Sequence, residues 1–120
     1  MPRLLVIDDD EAMRLALAGT LKAAGYDVAT AADGAAGLAA YRAAPADLVV
    51  VDLYMPGKEG LETLVQLRRE FPNAAVVAMS GNRNMELMLR AAEKLGAVQT
   101  IAKPFEPSEM LELVQKALGD

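Results

Sequence analysis

Five short runs rich in apolar residues alternate along the chain with segments whose apolar residues recur every three or four positions. The runs are LLVI at 4–7, VATA at 28–31, LVVV at 48–51, AAVVAM at 74–79 and VQTIA at 98–102. Between them, Met13, Leu17, Leu21 and Ala24 share one helical face, with acidic Asp10 and Glu11 before it and Gly25 placed to stop it. Leu61, Leu64 and Val65 open a second face that ends before Phe71 and Pro72. Met85, Met88, Leu89 and Ala92 form another, as do Met110, Leu113, Val114 and Ala117. Residues 34–42 carry a weaker pattern, in which Leu38 and Tyr41 suit a short helix.

Strict alternation of strand and helix predicts an α/β domain: a doubly wound, five-stranded parallel sheet with helices on both faces. Strands covered on both faces read as continuous apolar runs, as LLVI and LVVV do. VATA and VQTIA carry polar residues and suit the two edges. These placements give the order 2-1-3-4-5, with a topological switch between strands 1 and 3. In open sheets of this kind, ligands bind beside the switch, outside the carboxyl ends of the strands. With 120 residues and no linker, repeat or low-complexity stretch, residues 1–120 are expected to form one domain.

Composition removes several function classes. A net charge of -5 argues against nucleic-acid binding, which needs a basic footprint. With no cysteine there are no disulfides, thiol nucleophiles or zinc ribbons. With no histidine, the commonest general base and any internal phosphohistidine are also absent. No secretion signal is evident at the start, and no apolar run approaches the ~20 residues of a membrane span. No membrane association is expected, and the expected location is the cytoplasm.

The residues that follow the strands converge at one edge of such a sheet. Strand 1 leads into Asp8, Asp9 and Asp10, and strand 3 into Asp52. Strand 4 leads into Ser80, and strand 5 into Lys103 and Pro104. Each like-charged pair at ~4 Å costs roughly 4 kcal/mol at an effective dielectric near 20, so clustered carboxylates must hold protons or cations. Lys103 can offset one charge. A hard divalent cation would offset two more, and Mg²⁺ prefers oxygen ligands with room for water. A carboxylate beside such a cation can act as nucleophile toward phosphorus and form an acyl phosphate. Lys103 and the Ser80 hydroxyl would then take up the developing charge.

Four motifs, VIDDDE at 6–11, DLYMPGKEG at 52–60, MSG at 79–81 and KPF at 103–105, stand in this order. Together they make the chain resemble, from end to end, the receiver domain of bacterial two-component response regulators. The resemblance implies the flavodoxin-like receiver fold. It implies that Asp52 is the phosphoacceptor, that Ser80 is the switch hydroxyl and that Lys103 contacts the phosphate. It further implies that Asp8, Asp9, Asp52 and the backbone carbonyl of Tyr54 hold Mg²⁺ (or Mn²⁺). Tyr54 and Asn82 occupy positions that in receivers flank the path of attacking water. The expected donor is a sensor histidine kinase or a histidine phosphotransferase. The expected recipient of the signal is an output protein or an output domain outside this chain, so a stand-alone regulator and a receiver of a longer protein both remain open. The domain is expected to catalyse only its own phosphorylation and dephosphorylation.

Simpler readings exist for single residues. Asp9 or Asp10 can cap the first helix, Asp52 alone could be a turn-former, and the seven methionines read as core filler. Among whole-chain alternatives, a haloacid-dehalogenase-like phosphohydrolase needs its nucleophile after strand 1 in a D-x-D-x-[TV] motif. Ala12 stands where that motif needs Thr or Val. A second alternative is a receiver-like interaction module working without phosphorylation. One departure favours it: receivers usually place Tyr or Phe three residues before the strand-5 lysine, where this chain has Thr100, preceded by Val98 and Gln99.

Thr100 has no ring to swing inward, and a β-branched side chain is stiff at χ1. The switch energy is then expected at residues 80–85, where Ser80 would gain a charge-assisted hydrogen bond of roughly 1.5–3 kcal/mol. Amide hydrogen exchange with and without beryllofluoride should show new protection at 80–85 and little change at 98–102. Protection confined to 98–102 would contradict this.

Overall fold

The computed structural model describes residues 1–53, 60–81 and 85–119. Tyr54, the Gly57–Lys58 pair and Asn82, along with residues 83 and 84 of the expected 80–85 switch loop, lie outside the described residues. Among the described residues ten elements alternate, strand then helix: β1 (Arg3–Ile7), α1 (Glu11–Ala23), β2 (Asp27–Ala31), α2 (Gly34–Ala43) and β3 (Leu48–Asp52) come first. They are followed by α3 (Gly60–Glu70), β4 (Val76–Ser80), α4 (Met85–Lys94), β5 (Gln99–Ala102) and α5 (Pro107–Ala117). The strands pair in parallel in the order β2-β1-β3-β4-β5, as their polarity predicts.

Burial explains why polarity carried that information. Every residue of β3 and β4 is buried, whereas β2 at the edge exposes Asp27 and Thr30. Successive side chains of a strand point to opposite faces, so each central strand serves two cores. Leu5, Ile7, Val49, Val51, Val76 and Ala78 pack against Leu38, Tyr41, Leu64, Leu67 and Ala92 from α2, α3 and α4. Leu4, Val6, Leu48, Val50, Val77 and Met79 pack against Leu17, Leu21, Met110 and Val114 from α1 and α5.

Two boundaries differ from the sequence pattern, and both differences place functional residues. The AAVVAM run does not begin its strand at Ala74, because the Ala74 N–H closes a turn onto the Phe71 carbonyl at 3.0 Å. The strand instead runs to Ser80, which pairs with Ala102 on β5. Asp52 is likewise the last residue of β3, in register with Met79, rather than the first of a loop. The weakly patterned segment is a full helix of ten residues, α2, whose N-terminus is capped by Asp33 accepting from the Ala36 N–H at 2.7 Å.

Gly60, the first residue of α3, lies against the end of β3. A Cβ at Gly60 would fall on the Asp52 carbonyl oxygen and crowd the Leu53 Cα. Those obstacles are backbone, so they cannot swing aside as a side chain would. Gly60→Ala should therefore cost about 3 kcal/mol, the upper end for overpacking. Urea denaturation read by circular dichroism measures it, and a loss below about 0.5 kcal/mol would show that the contact relaxes freely.

Candidate functional site

The edge at the carboxyl ends of β1, β3, β4 and β5 brings together residues distant in sequence. Asp8, immediately after β1, has no exposed surface, and each of its polar atoms has a partner. Its N–H donates to the Ala31 carbonyl of β2 at 3.1 Å. Oδ1 accepts from the Asp10 N–H at 2.9 Å, and Oδ2 accepts from the Lys103 ammonium at 3.2 Å. Its carbonyl accepts from Arg14 Nη1 at 2.8 Å. Asp10 turns away to cap α1, accepting from the Met13 N–H at 3.2 Å. Asp9, between them, is exposed.

Asp52 is only 5% exposed, and its Oδ2 accepts from the same Lys103 ammonium at 3.1 Å. Lys103 thus bridges two buried carboxylates. Its backbone N–H donates to the Ser80 carbonyl at 2.8 Å, so the fully buried Ser80 is fixed beside it. Lys103 is joined to Pro104 by a cis peptide bond. Gly81 leaves room for the lysine stem, since a Cβ there would stand 2.6 Å from the Lys103 Cβ.

Carboxylate oxygens from Asp8, Asp9 and Asp52 lie within 4.8 Å of one another. With three acids against one ammonium, two negative charges lack a counter-charge within this group of four. Burial by itself would lower the Lys103 pKa, but the charges of Asp52 and Asp8, and the hydrogen bonds they accept, hold it above its ordinary value. The donor set is all oxygen, which suits a hard divalent cation and not a thiophilic one. The acidic cluster could therefore hold a metal.

The sequence reading brought Asp8, Asp9, Asp52, Ser80 and Lys103 to one edge, and all five are there. Tyr54 lies outside the described residues. Three contributors went unread: Gly60, Gly81 and Arg14. Arg14 had left a trace, because a cation near a helix N-terminus opposes the macrodipole and so calls for a specific partner. A separate groove lined by Leu61, Val65, Arg69 and Leu95 shares no residue with this cluster.

Residues 4–115 match the model of the response regulator receiver domain. The chain belongs to that family. It is 37% identical over 120 residues to protein CcdB of Bacillus subtilis, with 99% of both chains covered. It is 32% identical to the chemotaxis protein CheY of Thermotoga maritima, with 95% of both covered. Its identity to the transcriptional regulator NtrC of Rhizobium meliloti is 33%, over 98% of this chain but 24% of that protein. The chain therefore spans nearly all of some relatives and about a quarter of others. The receiver domain of NtrX from Brucella abortus superposes with a TM-score of 0.91 at 32% identity, over 97% of this chain and 98% of that one. Receiver domains are phosphoacceptor signalling domains of two-component systems, and this one shares that function.

In this receiver domain the Lys103 bridge has a measurable consequence. Lys103→Met leaves two buried carboxylates facing each other without their shared cation, which should cost roughly 3 kcal/mol. The folded-state pKa of Lys103 lies above its unfolded value of 10.5. Its contribution is thus complete below 10.5 and fades as pH rises through the folded value. Urea melts of parent and variant should differ by a constant amount from about pH 7 to about pH 10 and converge above that. A difference that grows toward high pH would contradict the bridge.

Proposed function

We propose that Asp52 is the phosphoacceptor, and that the domain takes its phosphoryl group from a phosphohistidine on another protein. The observation that carries this reading is the Lys103 ammonium 3.1 Å from Asp52 Oδ2, within a cluster that includes Asp8 and Asp9. This chain has no histidine, so the donor histidine lies outside it, and we assign it to a sensor kinase or a histidine phosphotransferase.

In the transfer, a carboxylate oxygen of Asp52 attacks phosphorus. The P–N bond breaks, its electron pair returns to the imidazole nitrogen, and an acyl phosphate forms. Lys103 holds Asp52 in place before the step and holds a phosphoryl oxygen after it. Ser80, fixed beside Lys103 on β4, donates its hydroxyl to another phosphoryl oxygen. Mg²⁺ (or Mn²⁺), held by Asp8, Asp9 and Asp52, would supply the missing positive charge; a fourth ligand, the Tyr54 carbonyl, rests on the family resemblance alone. Attack by water on phosphorus breaks the O–P bond of the acyl phosphate, releases inorganic phosphate and returns Asp52 to its starting state. The chain so acts as a switch whose only catalysis is on itself. Its phosphorylated face engages an output protein or an output domain, as the regulators NtrC and FixJ among its relatives would imply. No described helix is long and apolar enough to cross a membrane, and we place the protein in the cytoplasm.

Incubation with acetyl phosphate and Mg²⁺ should add one phosphoryl mass to the parent. EDTA or Asp52→Asn should abolish the gain. Equal gain in Asp52→Asn would move the acceptor elsewhere.

A further inference from the structure

Asp9 is the exposed member of the acidic cluster, and no hydrogen bond or ion pair to its side chain is found among the described residues. Its carboxylate nevertheless lies within 4.8 Å of those of Asp8 and Asp52. Something other than its side chain must hold it there. Its backbone belongs to the peptide plane that begins with the Asp8 carbonyl, since the six atoms from one Cα to the next are coplanar. Fixing that carbonyl therefore fixes where the Asp9 N and Cα sit, and the Asp10 N–H held on Asp8 Oδ1 restrains the other side of the residue, so the backbone from which the Asp9 side chain departs is oriented from both ends.

Arg14 does the fixing. Its guanidinium Nη1 donates to the Asp8 carbonyl at 2.8 Å from a half-buried position four residues into α1. The Arg14 backbone is anchored by its own N–H, which donates to the Asp10 carbonyl at 2.9 Å. The turn is closed from the other side by the Asp10 N–H on Asp8 Oδ1 at 2.9 Å, and Asp10 caps the same helix. The rigid first turn of α1 thus reaches back to the acidic turn through one guanidinium.

We propose that Arg14 is a positioning residue for divalent-cation binding: it orients the Asp8–Asp9 peptide so that Asp9 presents its carboxylate to the cluster. The inference rests on the metal-dependent reading of the site given above. It has a distinctive sign. A cation near a metal site repels a second cation, so a merely electrostatic Arg14 would weaken metal binding, and its removal would strengthen it. A positioning Arg14 does the opposite, because partners that orient metal ligands typically contribute tenfold or more in affinity.

The test is Mn²⁺ binding to the unphosphorylated protein, followed by the electron paramagnetic resonance of free Mn²⁺. Arg14→Met, which keeps the apolar stem, should bind Mn²⁺ roughly tenfold more weakly than the parent. Arg14→Lys, which keeps a donor and the charge, should recover most of that loss. In parallel, the backbone order parameter of Asp9 should fall in Arg14→Met and recover in Arg14→Lys. Mn²⁺ binding by Arg14→Met that is equal to or tighter than the parent's overturns the proposal while leaving the metal site intact. Asp9→Asn separates the two failures: if it too binds Mn²⁺ like the parent, the metal reading falls and the role of Arg14 falls with it. A thermal melt of each variant guards against unfolding. Should Arg14→Met not fold, Arg14→Gln, too short to reach as the guanidinium does, takes its place with the same expected loss, and Mn²⁺ binding by Arg14→Gln equal to or tighter than the parent's would overturn the proposal.

Discussion

The ammonium of Lys103, shared between the buried carboxylates of Asp8 and Asp52, is the interaction on which the functional edge depends. It spans the sheet: Asp8 follows β1, Asp52 ends β3, and Lys103 follows β5, with β4 lying between the last two. To cross β4 the lysine stem passes over Gly81, where no side chain stands in its way. Two carboxylates out of water would repel strongly at low effective dielectric, so each is tolerable only because the lysine is present.

That bridge leaves the charge unbalanced. One ammonium cannot neutralise Asp8, Asp9 and Asp52 together, and the remaining deficit makes the edge receptive to a divalent cation and then to a phosphoryl group. A fully balanced site would gain little from either ligand. Here the stability withheld from the resting protein is available to ligand binding, as a two-state switch needs. The surrounding packing is correspondingly firm: Asp52 and Ser80 end strands in which every residue is buried, so the reacting atoms sit on rigid elements.

Much of this was legible because the pattern reports burial directly. LLVI and LVVV lie in the centre of the sheet since both their faces are covered, and β2 lies at the edge since Asp27 and Thr30 need water. An aspartate cap at Asp9 or Asp10 and a stop at Gly25 follow from local backbone rules, and Gly25 does adopt a φ of +101°. The α2 helix was harder to see, because glycines occupy two of its buried positions and alanines most of its exposed ones, which leaves only Leu38 and Tyr41 as periodic markers. The partner of Tyr41, the ring of Phe71 at a centroid distance of 4.6 Å, is thirty residues away and leaves no local trace.

What the sequence alone determined was the set of elements, their order in the sheet, and which carboxylates, hydroxyl and amine reach its carboxyl edge. Those follow from periodicity and from the topology rules of parallel sheets, both of which are local or combinatorial. Only the tertiary structure decided how the three consecutive aspartates divide their work. Asp8 is buried against Lys103, Asp10 is committed to the helix, and Asp9 is left open toward the cluster. Three identical side chains in a row carry no information that separates them. The distinction comes from what folds around each one: the β2 carbonyl that accepts from Asp8, the first turn of α1 that Asp10 caps, and the Arg14 guanidinium at the peptide joining Asp8 to Asp9.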